Sequence, residues 1–289
     1  MEYPTTKSSQ LPDQRKIAYC EYGEPNSQPV FFFHGTPGSR YEPLFGHQAA
    51  LKNGIRLIAP DRPGIGGSDY QENRSLLDWT EDVNQIADQL GISTFGVMGA
   101  SGGGPHALAC AYSIPKRLRF TILLGSWAPI LRSGLAEFMA PLDQFFSRLA
   151  ARSTFLFSLP FYWFVLSSRY LSPGLFVKSM DSSLCEADRK ILENQQVATL
   201  FQEDVRESFA QAVRGPAEEA IMLYGEWGFE LSDIKAPVQI LHGEQDKFAP
   251  YPFAEYIHEN LPDSRLISYQ EEGHLFFTQS FDEIFNHLA

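Results

Sequence analysis

Four apolar runs punctuate the first half of the chain: Val30-Phe31-Phe32-Phe33, Ile55-Arg56-Leu57-Ile58-Ala59, Thr94-Phe95-Gly96-Val97-Met98 and Phe120-Thr121-Ile122-Leu123-Leu124. Runs this short and this continuous predict strands covered on both faces. Ahead of them, Lys7 to Tyr22 alternates weakly around Pro12-Asp13-Gln14, the pattern of a short antiparallel hairpin. Between the second and third runs the period changes. Trp79, Val83, Ile86 and Leu90 fall on one helical stripe, Ser75 with Asp78 three residues on offers a cap, and Gly91 a stop. Strands alternating with helices predict an α/β fold: a mostly parallel central sheet with helices on both faces. The loops at its strand C-termini then share one edge, where such sheets bind ligands.

From Trp127 to about Ser232 the alternation stops and helical spacing takes over. Phe145, Phe146 and Leu149 follow Pro141-Leu142, Ser183 with Glu186 forms a candidate capping box, and Val197, Leu200, Phe201, Val205 and Phe209 make a further stripe before Gly215-Pro216. Residues 127–232 are therefore expected to be a helical cap inserted into a core made of 1–126 and 233–289. Within it, Ser153 to Ser168 is uncharged and aromatic, but it is shorter than the ~20 residues a membrane span needs and it contains Pro160. The expectation is a buried or pocket-lining segment. The sheet resumes at Pro237 to Leu241, followed by a helix around Pro252 to Leu261, a last strand at Arg265 to Tyr269 and a short helix from Phe281.

Composition narrows the function classes. A hydrophobic content of 44% in 289 residues supports a sizeable core, and a net charge of -12 without any basic run argues against a nucleic-acid surface. Cys20, Cys110 and Cys185 have no metal-ligand spacing and read as free thiols in a reducing compartment. Met1-Glu2-Tyr3-Pro4-Thr5 lacks the basic and apolar regions of a signal peptide, so a cytoplasmic location is the expectation. The expected partner is a small-molecule substrate, with no membrane span and a monomeric or homodimeric chain.

The chemistry concentrates where the third apolar run ends. Gly99-Ala100-Ser101-Gly102-Gly103 is a G-x-S-x-G sequence between a predicted strand and a predicted helix. A serine at the point of so sharp a turn needs near-absent side chains two positions before and after it, because strand and helix backbones crowd there. Gly102-Gly103-Gly104-Pro105-His106-Ala107 also matches a dinucleotide-binding fingerprint, which requires an acidic residue roughly 20 positions on. No Asp or Glu lies between Ala107 and Ala136, which sets that reading aside.

Four further loops follow predicted strands: His34-Gly35-Thr36-Pro37-Gly38, Asp61 to Ser68 with its Asp-x-x-Gly-x-Gly-x-Ser pattern, Gly243-Glu244-Gln245-Asp246, and Gly273-His274. With the serine turn they give a chain order that resembles the α/β-hydrolase superfamily from Ile17 to Leu288, in its carboxylesterase and prolyl iminopeptidase-like branch with a helical cap. The resemblance implies Ser101 as nucleophile, His274 as base, Asp246 as acid, and the amides of Thr36 and Gly102 as an oxyanion hole. It implies no metal and no organic cofactor. Glu244 is the main rival to Asp246; His34, Asp61 and Arg62 read as structural, the last two as a pair bracing their loop. Iminopeptidases usually carry Gly-Gly where this chain has Gly35-Thr36, and Trp where it has Gly102. These departures favour a serine hydrolase acting on an ester, thioester or lactone of a small, largely apolar molecule. The alternatives are an aminopeptidase, or a lyase or ligand-binding signalling protein on the same fold. Trp127, Trp163, Trp227 and Phe248 are the candidate substrate-pocket residues.

Overall fold

The computed structural model describes residues 3–150 and 152–286. These form an eight-stranded sheet in the order β1-β2-β4-β3-β5-β6-β7-β8. The strands are β1 (Lys7–Gln10), β2 (Lys16–Gly23), β3 (Gln28–Phe33), β4 (Ile55–Pro60), β5 (Phe95–Ala100), β6 (Leu118–Leu124), β7 (Val238–Gly243) and β8 (Ser264–Tyr269). β1 and β2 make the expected hairpin, with Lys7 opposite Tyr19, and β2 continues antiparallel against β4. All other pairings are parallel.

The phenylalanine run in β3 shows why the central strands lack alternation. Phe31 and Phe33 point into the cluster formed with Trp79, Val83 and Ile86, whereas Val30 and Phe32 point into the one with Phe277, Phe281 and Ile284. Each face is roofed by helices, so both sets of side chains leave water, at about 1.5 to 3 kcal/mol per large apolar side chain. The roofing helices are α1 (His47–Lys52), α2 (Asp78–Gln89), α3 (Gly104–Ser113), α11 (Pro252–Asn260) and α12 (Phe277–Asn286). The last begins four residues before the expected Phe281, because Phe277 already belongs to its buried stripe. Ser75 and Asp78 exchange hydrogen bonds, Ser75 N donating to Oδ2 (2.7 Å) and Asp78 N to Ser75 Oγ (3.3 Å), but they close the turn ahead of α2, whose N-cap is Leu77 and not the expected Ser75.

Between β6 and β7 the chain is helical: α4 (Ile130–Ser133), α5 (Pro141–Ala150), α6 (Thr154–Tyr170), α7 (Pro173–Lys178), α8 (Glu186–Leu192), α9 (Gln195–Ser208) and α10 (Arg214–Tyr224), with 3-10 turns between some of them. The expected Ser183–Glu186 capping box does not form, and the N-cap stands two residues later. Cys185 is the N-cap of α8, its sulfur accepting from Asp188 N, and Ser183 lies in the preceding 3-10 turn. The uncharged aromatic segment is not buried as a whole. Phe157, Ser167 and Ser168 of α6 face inward, while Phe155, Tyr162, Trp163 and Tyr170 are exposed. A segment that is apolar all round carries no sequence signal for which side meets α9 and α10. No helix among the described residues is long and apolar enough to cross a membrane.

Candidate active site

Ser101 leaves the end of β5 and opens a 3-10 turn, Ser101–Gly103, that runs into α3. Its φ of +50° is left-handed, a conformation that costs a side-chain-bearing residue about 1 to 3 kcal/mol and persists only where the surroundings enforce it. Those surroundings are backbone. A Cβ on Gly99 would strike the Gly103 carbonyl, and one on Gly103 would strike the carbonyl of Phe33. Each glycine of the G-x-S-x-G turn is thus required by a neighbouring main chain, and the strained serine is held at the C-terminal edge of the sheet.

Asp246 follows β7 and His274 follows β8, the two strands beyond β6 on the same edge. Asp246 Oδ1 accepts from the Phe248 and Ala249 amides (2.8 and 2.9 Å), and Oδ2 meets His274 Nδ1 at 2.7 Å. Both side chains are buried. Burial pushes the Asp246 carboxyl up; the charge of His274 and hydrogen bonds from His242 and His274 overcome it and hold the carboxyl down at about 2. Burial likewise opposes a charged His274, but Asp246 and the more distant carboxylates of Asp188 and Glu42 raise its pKa above the ordinary value. Gly125, just beyond β6 with φ +56°, makes room for the pair. A Cβ there would lie 3.2 Å from His274 Nδ1 and 3.3 Å from Asp246 Oδ2. Glu244 is exposed and Glu271 likewise, so neither rivals Asp246 as the carboxyl beside the imidazole.

The loop after β3 covers the serine: a Cβ on Gly35 would sit 3.3 Å from Ser101 Cβ, and one on Gly102 would collide with the Thr36 side chain. Thr36 and Gly102 are therefore neighbours beside Ser101. His34 is fully buried, its Nδ1 at 2.8 Å from the Gly35 carbonyl and its Nε2 accepting from Arg62 N, and burial with the nearby Arg62 keeps it neutral. Asp61 and Arg62 do not pair with each other. Asp61 takes Arg40 and the Gly67 amide, whereas Arg62 clasps Glu219 with two hydrogen bonds of 2.6 Å. Adjacent residues at the end of a strand point to opposite sides, which is what separates them.

The family profile for the alpha/beta hydrolase fold matches residues 28–280. The chain belongs to that family. Among curated proteins, this hydrolase is 26% identical to a 2-hydroxy-6-oxononadienedioate/2-hydroxy-6-oxononatrienedioate hydrolase of Burkholderia vietnamiensis, over 90% of this chain and 84% of that one. It is 28% identical to a non-heme chloroperoxidase of Streptomyces lividans, over 91% and 90%. Among solved structures, an esterase from Exiguobacterium antarcticum superposes with a TM-score of 0.69 at 22% identity, covering 98% of both chains.

The four aromatic candidates in the hydrolase separate into two pairs. Trp127 N donates to the Ser101 carbonyl (3.2 Å), and its ring packs between Tyr224 and Phe253. The Phe248 ring lies 5.2 Å from that of His274. Trp163, by contrast, is 53% exposed on α6. Trp227 is buried, donating Nε1 to the Leu223 carbonyl, and it borders a small cavity of about 50 Å³ with Pro129, Phe229 and Tyr256 that no catalytic candidate lines. Chain position could not separate these rings, since each depends on which way its helix or loop turns.

Sequence reading missed several residues at this edge. Glu42 accepts the Gly35 amide at 2.6 Å through Oε2, and its Oε1 lies against the same side of Gly35 as Ser101. Burial pushes its carboxyl up to about 7, against the opposing pull of the Gly35 amide and of His274 and Arg62. Asp188, Asp204 and Glu219 reach the site's loops from the helical insertion; none stands in a motif that could have flagged it. No group of three or more His, Cys, Asp or Glu among the described residues is arranged to hold a metal ion.

Proposed function

We propose that the protein is a serine hydrolase that cleaves an ester, thioester or lactone of a small, largely apolar molecule. The observation that carries this reading is the buried His274–Asp246 hydrogen bond of 2.7 Å on the sheet edge where Ser101 stands with φ +50°. With Nδ1 engaged by the carboxylate, His274 has Nε2 free in role to take the serine proton. Ser101 Oγ then bonds to the substrate carbonyl carbon, and the negative charge on the oxygen is met by the amides of Thr36 and Gly102. Collapse expels the alcohol, thiol or ring oxygen, which receives the proton from His274. Water, activated by the same imidazole, hydrolyses the acyl-enzyme.

A largely neutral substrate is favoured because the arginines nearest the oxyanion loop are already committed. Arg40 pairs with Asp61 and Glu207, and Arg62 with Glu219. The dienedioate named for the Burkholderia relative carries two carboxylates, for which those cations would have to be free. Residues 127–232 act as a cap over the site, with Trp127 and, from the core, Phe248 bordering the acyl pocket.

A fluorophosphonate probe is expected to label Ser101, its oxygen displacing fluoride from phosphorus, and a panel of acyl esters, lactones and aminoacyl amides to show turnover for the first two classes. Labelling that persists in Ser101→Ala would sink the nucleophile assignment. Turnover confined to aminoacyl amides would make the protein an aminopeptidase. Labelling without turnover of any acyl substrate would point to a lyase or a ligand-binding protein.

A further inference from the structure

Among the described residues of the helical insertion, the carboxyl groups of Asp188, Asp204 and Glu219 are buried, and each is bonded to a loop of the catalytic edge. Asp188 on α8 accepts the His274 amide (3.2 Å) and the Leu275 amide (2.8 Å). Asp204 on α9 accepts both the amide (3.0 Å) and the hydroxyl (2.6 Å) of Ser39, at the end of the loop that carries Thr36. Glu219 on α10 accepts the Thr36 hydroxyl (2.6 Å) together with Arg62 and Arg74. Nothing about covering a pocket requires this. A lid that only roofs an apolar substrate would turn apolar side chains inward, whereas a buried carboxyl is costly unless donors meet it.

The donors belong to the loops that hold the base and the oxyanion-hole candidate. Two glycines keep the approach open: a Cβ on Gly273 would meet Cys185 Sγ and the Asp188 carboxylate, and one on Gly38 would lie 3.3 Å from Asp204 Oδ2. The Gly-His pair thus has a second purpose, since the glycine before the base is where α8 reaches the loop. Gln211, in the connection between α9 and α10, adds bonds to the Gly66 and Ser68 carbonyls, so the loop after β4 is tied to the same insertion.

We propose that Asp188, Asp204 and Glu219 are positioning residues, through which the seated cap sets the geometry of His274 and Thr36 and so switches on the catalytic edge. This rests on the triad reading. The cap is then a component of the rate as well as of selectivity. Asp188 does most for the base: two adjacent amides fixed by one carboxylate leave the His274 backbone little freedom. The charged and titratable groups facing His274 are Asp246 from the loop after β7, Asp188 from α8 and Glu42 from the 3-10 turn before α1, with His242 behind Asp246 and Cys185 beside Gly273.

The test uses the full chain, p-nitrophenyl acetate turnover, and fluorophosphonate labelling of wild type, Asp188→Asn, Asp204→Asn and Glu219→Gln. Loss of position by even ~1 Å is expected to lower kcat roughly 100-fold with KM little changed. Asp188→Asn is also expected to move the acid limb of the kcat/KM profile to lower pH, because a negative charge near His274 is gone; a purely structural role would leave that limb in place. Folded variants with wild-type kcat and an unmoved limb would overturn the proposal while leaving the triad intact. A wild type that neither labels nor turns over would instead remove the triad reading. Should the variants fail to fold, hydrogen exchange on the wild-type chain decides. The His274 and Leu275 amides are expected to exchange in step with residues 186–192, and exchange at the rate of an open loop would refute the clamp.

Discussion

His274 is the residue whose protonation is expected to govern activity. Its pKa is raised, so the neutral form needed to accept the Ser101 proton is lost already above the ordinary imidazole value of about 6.5 as pH falls. Asp246, held at about 2, stays ionised throughout that window, but Glu42, at about 7, titrates within it. His274 and Glu42 are therefore both expected to contribute to the acid limb of kcat/KM. Glu42→Gln, which keeps an acceptor for the Gly35 amide, is expected to shift the limb to lower pH; a profile between pH 5 and 9 that is flat, or identical in both proteins, contradicts this. Asp246→Asn should keep the fold and cost on the order of 10⁴ in turnover, by analogy with the serine-protease triad. Turnover that survives while Glu244→Gln loses it would relocate the acid.

At the scale of elements, selectivity is expected from the segment after β6 and from α10 and α11, with α6 contributing little. Trp127 is anchored to the Ser101 carbonyl and wedged between Tyr224 of α10 and Phe253 of α11, whereas Trp163 of α6 is half exposed. Trp127→Ala should weaken a bulky apolar ester by roughly 1 to 3 kcal/mol relative to an acetyl ester, the scale of burying one such side chain. Trp163→Ala should leave the ranking of esters unchanged. The reverse pattern in a kcat/KM panel would place the acyl pocket under α6. Serine at the elbow was readable because its strand, its glycines and its helix are consecutive in the chain. The facing of α6 was not, because Phe, Trp, Tyr and Leu occupy every side of it.

At the scale of the molecule, the helical insertion and the sheet meet through ion pairs as well as apolar clusters. Glu219 is buried with its carboxylate held far below the usual range by Arg62 and Arg74, in spite of the burial that opposes it. Arg62→Met leaves that carboxylate with one guanidinium. Breaking a buried pair from one side is expected to cost roughly 3 kcal/mol in denaturant unfolding. A loss near zero would show that Arg74 alone satisfies Glu219 and that the Arg62 bonds add nothing net.

The sheet, its central strands and the elbow were legible along the chain, since each follows from adjacent residues: continuous apolar runs covered on both faces, and glycines where main chains cross. The sequence also placed Asp246 and His274, because a sheet with crossovers delivers every strand end to one edge. Tertiary structure alone decided the partners of buried charges. Asp61 turned to Arg40 rather than Arg62, and Asp188, Asp204 and Glu219 turned from their helices toward loops 86, 165 and 183 residues away. A carboxylate on a helix reads as a solvated face, and only the approach of distant amides, hydroxyls and guanidinium groups made burying these three tolerable.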